Sequence, residues 1–276
     1  YGLNWGEGIK KGETVLLIGQ ECSKDLFMAI CKCIWQAGGN VITGYLPDEM
    51  DRYGVNRPQL EIATNEQLSH FPINYWKGAV DDSDHLISII AEPNVGGLNG
   101  ISSDKIAMLS NSKAPFMQMF TKKEGEGKIT RTLCLYGTQS MADEAGMSIE
   151  EYWQQIINAC YLEDDDPIAS WRKTRKEIIL IKEKLNQLQI KELHIEGEGI
   201  DLRVLIGENR KWLGASGRNI PSFEIFISPD WRGTNGTIAF NQPLYYNGKR
   251  VSGIKLKFEN GLVVEASAKE NEDALL

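Results

Sequence analysis

Histidine is scarce in this sequence. Three occur among 276 residues, at 70, 85 and 194, and none lies near another. Neither HExxH nor HxH spacing is present, so no zinc site can be read from histidines alone. His70 precedes Phe71-Pro72 and reads as a loop residue, His85 opens a strand, and His194 alternates with Leu193 and Ile195. Each is expected to be a surface or structurally satisfied histidine. Cysteine is sparse too: five residues, at 22, 31, 33, 134 and 160, with no CxxC. An odd, scattered set argues against a disulfide framework and predicts reduced thiols in a cytoplasmic protein.

Long apolar runs are also lacking. None reaches the roughly 18 residues of a membrane-spanning helix, and no basic region followed by an apolar stretch opens the chain as a secretory signal would. Positive charge is in deficit, 30 Lys and Arg against 38 Asp and Glu, net −8. That argues against nucleic acid and against anionic membrane as partners. GxGxxG and GxxxxGK[ST] are both missing, so Gly19-Gln-Glu-Cys-Ser reads as a plain turn between strand and helix. The first residue is Tyr1, not Met, and an upstream stretch is expected.

What is present divides by pattern. Val15–Ile18 is a continuous apolar run followed by Gly19, the signature of a strand buried on both faces. A helix is predicted over 23–36 with Ser23 as N-cap, ended by Gly38-Gly39, and a second strand over 40–45. Residues 53–67 read as helical or irregular, broken by Pro58. Strands are expected at 84–91 and 130–136, a Gly-rich loop at 96–100, a helix at 102–110, and an exposed turn at Lys122–Lys128. Alternating strands and helices give an open α/β layer.

Ser148 and Glu151 form a capping box for a helix through Tyr161. The acids 163–166 and Pro167 suit the N-terminus of a long helix over 168–188, with Trp171, Ile178, Ile181 and Leu185 as its apolar stripe. Beyond Lys191 the pattern turns to short strands, at 192–196, 200–206, 237–240, 251–258 and 263–266. Asp201 and Arg203 fall on one face and could pair. Asn247-Gly248 and Asn260-Gly261 are hairpin signals, and 268–276 resembles a helix start. The class is therefore α/β: an N-terminal domain over 1–190, including its helical connector, and a β-rich second domain over 191–276.

One carboxylate stands apart. Glu224 sits in the apolar run Phe223–Ile227, bracketed by Pro221 and Pro229. Glu is depleted in strands, and a core-facing carboxylate needs a partner or a metal. Glu224 is therefore either on the solvent face or in use.

Several quoted stretches resemble the aminopeptidase T family of metallopeptidases. They are Gly199-Ile-Asp-Leu-Arg-Val, Asn219-Ile-Pro-Ser-Phe-Glu-Ile-Phe-Ile-Ser-Pro-Asp, Gly236-Thr-Ile-Ala-Phe-Asn-Gln-Pro-Leu and the run from Gly248 to Val264. More loosely similar are the Lys10-Lys-Gly-Glu-Thr-Val-Leu-Leu-Ile opening, the run Met141–Tyr152 and Asp166-Pro-Ile-Ala-Ser-Trp-Arg. The resemblance implies a cytoplasmic, homodimeric exopeptidase that removes N-terminal residues from peptides with two divalent metal ions, zinc or cobalt, with magnesium a further candidate. In such a site two cations about 3.5–4 Å apart polarise the scissile carbonyl and activate a bridging water. The resemblance makes Glu224 a metal ligand and 191–276 the β-rich opening of an α+β catalytic domain; it assigns no catalytic or substrate-binding residue among the 276. The family's further ligands, a second Glu, His residues, a Tyr and an Asp, are expected downstream of Leu276, so these residues alone are expected to be inactive. Departures are Tyr136-Gly-Thr-Gln-Ser where the family has Trp…Pro-Thr, and Phe223 where a small or acidic residue is usual. Two other readings stand beside this one: a non-catalytic relative acting as a binding or assembly module, and an α/β small-molecule binder with its pocket at the carboxyl edge of the first sheet.

Overall fold

The computed structural model describes residues 8–49, 53–54, 56–246 and 249–275. The chain forms two compact units, Tyr1–Ser170 with Ser216–Ser222, and Trp171–Ala215 with Phe223–Leu276.

The first unit begins with β1 (Thr14–Gln20), α1 (Lys24–Gln36) and β2 (Asn40–Leu46), then the two-residue strands β3 (Asp48–Glu49) and β4 (Tyr53–Gly54). α2 (Asn56–Ile62), α3 (Asn65–Ser69), α4 (Ile73–Asp81) and β5 (His85–Ile90) follow. α5 (Ser103–Ser112), α6 (Ala114–Gly125), β6 (Thr130–Leu135), α7 (Gln139–Glu144) and α8 (Ile149–Ala159) complete its main run. α9 (Pro167–Gln187) carries the chain out of this unit into β7 (Glu192–Gly197), β8 (Ile200–Leu205) and β9 (Leu213–Gly214). The chain then returns for one short strand, β10 (Asn219–Ile220).

The sheet order is β10-β6-β5-β1-β2, with every pairing parallel. Strands buried on both faces explain the apolar run at 15–18. Leu16 packs with Ala79, Leu86, Phe120 and Ile129 on one side, while its neighbour Leu17 packs with Phe27, Cys31 and Ile89 on the other. This is the expected open α/β layer.

Several local expectations change. Pro58 does not break a helix; it lies in the first turn of α2, where a missing N–H costs nothing. Lys122–Lys128 is not simply an exposed turn, because Lys122–Gly125 close α6. Lys123 Nζ donates to the carbonyls of Val80, Asp81 and Ser83 at 2.6–2.8 Å, satisfying the end of α4. Ser23 precedes α1 but does not cap it; its hydroxyl donates to the Gln20 carbonyl at 2.7 Å. The capping box at Ser148 and Glu151 is present. The acids before α9 act at its N-terminus, where Asp166 accepts from the Ala169 N–H at 2.9 Å.

The second unit adds β11 (Ile225–Phe226), β12 (Asn235–Ala239), β13 (Leu244–Tyr246), β14 (Lys249–Val251), β15 (Lys255–Glu259) and β16 (Leu262–Ser267). An antiparallel sheet runs β16-β15-β12-β8-β7. The strand expected over 251–258 is two strands, with Val251 and Ile254 buried at the break. Asn260 and Gly261 have φ of +51° and +81° and turn β15 into β16 as predicted; Asn247-Gly248 lies outside the described residues. Residues 268–275 form no α-helix, only a short 3-10 turn at Glu272–Ala274. The stripe on α9 is mostly covered: Ile178 is buried and Trp171 and Leu185 are half-buried, while Ile181 is 53% exposed. Among the described residues no helix is long and apolar enough to cross a membrane.

Candidate functional site

Glu224 lies immediately before β11. The predicted strand over Phe223–Ile227 is thus shorter than expected, and Glu224 is outside it. Phe223 is exposed as well, and alternation begins only at Glu224: Glu224 and Phe226 are exposed while Ile225 and Ile227 are partly buried. Of the two options left open by the sequence, the carboxylate takes the solvent face. It has no hydrogen-bond or ion-pair partner among the described residues.

Its backbone, by contrast, is held from two directions. The Phe223 ring stacks on Trp171 of α9 at 5.4 Å between centroids and 29° between planes. β11 pairs antiparallel with β9, placing Ile225 opposite Gly214. A Cβ at 214 would stand 2.8 Å from the Glu224 carbonyl oxygen, so only glycine allows this approach. Just upstream, Ile220–Pro221 is a cis peptide, and β10 joins the parallel sheet of the first unit beside β6.

A large cleft of about 880 Å³ lies in the second unit, lined by Trp212, Ile227, Asp230, Arg210 and Arg232 among others. Arg232 Nε donates to Asp230 Oδ1 at 2.8 Å, and this pairing holds the Asp230 carboxyl down at about 2. A cavity of about 370 Å³ sits in the first unit at the carboxyl ends of β1 and β2, lined by Gln20, Leu46, Asp48, His70, Trp76 and Lys113 among others. Burial pushes the Lys113 ammonium down. Asp48 Oδ2 accepts from the Cys22 N–H at 2.7 Å, while Asp48 Oδ1 and the Tyr45 hydroxyl are buried without partners among the described residues.

The histidines separate in role. His70 ends α3 and lines that cavity. His85 lies between Thr130 Oγ1 at 2.8 Å and Glu13 Oε2 at 2.9 Å, a satisfied structural histidine. His194 has Asp201 and Glu196 beside it. The expected pairing of Asp201 with Arg203 does not form, because the strand register offers each a better partner: Asp201 meets His194, and Arg203 meets Glu192 at 3.0 Å. Sequence reasoning had left His194 without a partner. The alternation of 193–195 with the turn at Gly199 was the available signal.

The sequence profile of the thermophilic metalloprotease (M29) family matches residues 3–276, and the chain belongs to that family. It is accordingly a metal-dependent hydrolase of peptide bonds. It is 26% identical to Aminopeptidase AmpS of Bacillus subtilis (strain 168), over 98% of this chain and 69% of that protein. It is 30% identical to Aminopeptidase T of Thermus aquaticus, over 46% of this chain and 34% of that protein. The fold matches the solved structure of wild-type AmpT from Thermus thermophilus with a TM-score of 0.81 at 22% identity, covering 97% of this chain and 69% of that one.

Proposed function

We propose that the chain is a metalloaminopeptidase that releases N-terminal residues from peptides with two divalent ions, one of them bound by Glu224. The observation that carries this reading is Glu224 itself: an exposed, unpartnered carboxylate whose backbone is fixed by the Phe223–Trp171 stack and the β9–β11 pairing, in a chain of a metalloprotease family. The names of the relatives support action at the amino terminus. A carboxylate is an oxygen donor able to bridge two cations, which suits zinc, cobalt or magnesium.

Glu224 fits the role of one ligand and does not complete a site. Among the described residues, no group of three convergent metal ligands contains it. We therefore infer that residues 1–276 expressed alone lack peptidase activity. The chemistry belongs to the second domain of the proposed division into 1–190 and 191–276, and the compact unit that holds Glu224 begins earlier, at Trp171. Five free thiols support a cytoplasmic setting. A homodimer has a candidate surface in the sheet-edge strand β16, where Leu262, Val263 and Val264 are 47–62% exposed.

The test uses the gene product as encoded, stripped with a chelator and resupplied with zinc, cobalt or magnesium. Peptides with free amino termini should lose their first residue only when metal is present, and acetylated peptides should not react. Cleavage that survives the chelator, or that occurs at internal bonds of acetylated peptides, would refute the reading.

A further inference from the structure

Away from Glu224, a second set of ligand-type side chains converges on one face of the β7–β8 hairpin. His194 and Glu196 are two residues apart on β7 and so share a face. Asp201 on β8 is directly opposite Glu196. A ring nitrogen of His194 and one oxygen from each carboxylate all lie within 4.8 Å of one another. His194 Nε2 is 2.8 Å from Asp201 Oδ1, and Nδ1 is 3.6 Å from Glu196 Oε2.

We propose that His194, Glu196 and Asp201 form a surface binding site for a divalent transition-metal ion of the zinc class, one that does not include Glu224. The donor set decides the class of ion. One imidazole nitrogen with two carboxylate oxygens suits zinc, cobalt or nickel, whereas magnesium and calcium favour oxygen alone. Two carboxylates beside one imidazole also give the ion a favourable local charge.

The neighbours are compatible with a cation. Arg203 is opposite His194 and would repel one, but its guanidinium is drawn to Glu192 Oε1 at 3.0 Å. The next strand places neutral Thr237 beside Asp201. Contraction is easy, because the Glu196 and Asp201 side chains are 72% and 73% exposed. Metal bonds of about 2.1 Å ask for ligand spacings of roughly 3.3 Å, and water fills the remaining positions. The two ring nitrogens face different carboxylates, Nε2 toward Asp201 and Nδ1 toward Glu196, so an ion on Nε2 replaces the His194–Asp201 hydrogen bond and draws the Glu196 side chain round to it. Exposure keeps the affinity modest, since each carboxylate gives up good hydration. The consequence is local: a bound ion clips β7 to β8 across the turn at Gly199, and stabilises the folded chain in proportion to its occupancy.

The experiment titrates the chelator-treated protein in the Glu224→Gln background with zinc alone and with cobalt alone. Three readouts are taken: bound equivalents, thermal midpoint, and the ring-nitrogen chemical shifts of His194. The expected result is saturable movement of the His194 ring resonances with a rise in midpoint. One bound equivalent and that rise should disappear in His194→Gln and in the Glu196→Gln/Asp201→Asn double variant. His194 resonances unmoved by zinc, or equal stoichiometry in His194→Gln, would overturn the proposal. Because these readouts do not use peptide cleavage, failure of the Glu224 assignment leaves them intact, and their failure leaves that assignment intact.

Discussion

Arg218 donates from Nη2 to Glu124 Oε1 across 2.8 Å, and so ties the backbone beside β10 to the end of α6. Glu124 is only 14% exposed and also receives Arg131 Nε at 3.3 Å. The Arg218 carbonyl accepts from the Leu133 N–H at 2.7 Å, and the Gly217 carbonyl accepts from the Thr132 hydroxyl at 2.9 Å. A strand of two residues could not hold its place by ladder bonds alone; the ion pair and these flanking bonds hold it there.

Removing Arg218 leaves the mostly buried Glu124 carboxylate with only the longer contact to Arg131. Arg218→Ala should lower unfolding free energy by ~1–3 kcal/mol, measured by urea denaturation. Arg218→Lys should retain part of the difference. Equal stability of Arg218→Ala and wild type would show that the pair contributes nothing.

Lys123 offers a related test, because its ammonium satisfies three backbone carbonyls at the end of α4. Lys123→Met keeps the apolar stem and removes the donors. The expected loss is ~2–3 kcal/mol, read as a lower urea midpoint with an unchanged slope.

These contacts also mark the limit of what the sequence carries. The parallel strands were legible because burial on both faces demands continuous apolar runs such as Val15–Ile18. The C-terminal end of α6 was not, because Lys122–Lys128 looks like a solvated turn until Lys123 meets three carbonyls supplied from residues 80–83. Nor were β9 and β10, each two residues long, with Asn219 paired to distant Leu133; β11 was legible only as part of the longer apolar run Phe223–Ile227. Glu224 was legible as a residue out of place. Its exposure, and the glycine at 214 that lets its backbone approach, required the fold.

The thiols should report their burial. Burial, joined by the neighbouring Asp48 carboxylate, pushes Cys22 up to about 12, and burial pushes Cys134 up to about 11. At pH 8 a thiol titrating near 12 is only ~10⁻⁴ thiolate, the reactive form. Iodoacetamide at pH 8, followed by mass spectrometry, should therefore modify exposed Cys33 well before Cys22 or Cys134. Early labelling of Cys22 would contradict this placement.

Acid stability depends in part on Glu13. The hydrogen bond from His85, then that from the Lys10 N–H, lowers its carboxyl below 4.5. A carboxyl depressed by folding stabilises the native state above its unfolded value, and that contribution is lost as the pH falls through the folded value. Unfolding midpoints of wild type should therefore decline below pH 4.5, and Glu13→Gln should be weaker at neutral pH with a shallower decline. Parallel profiles for the two proteins would refute the contribution.

The central claim is that Glu224 binds metal for peptide hydrolysis. The most direct measurement compares wild type with Glu224→Gln, in the gene product as encoded, for metal affinity and peptide turnover on the same samples. Losing a direct ligand should weaken metal binding by ~10-fold or more, with turnover falling by orders of magnitude and the unfolding midpoint nearly unchanged. Near-normal turnover and unchanged metal affinity in a folded Glu224→Gln variant would contradict the account.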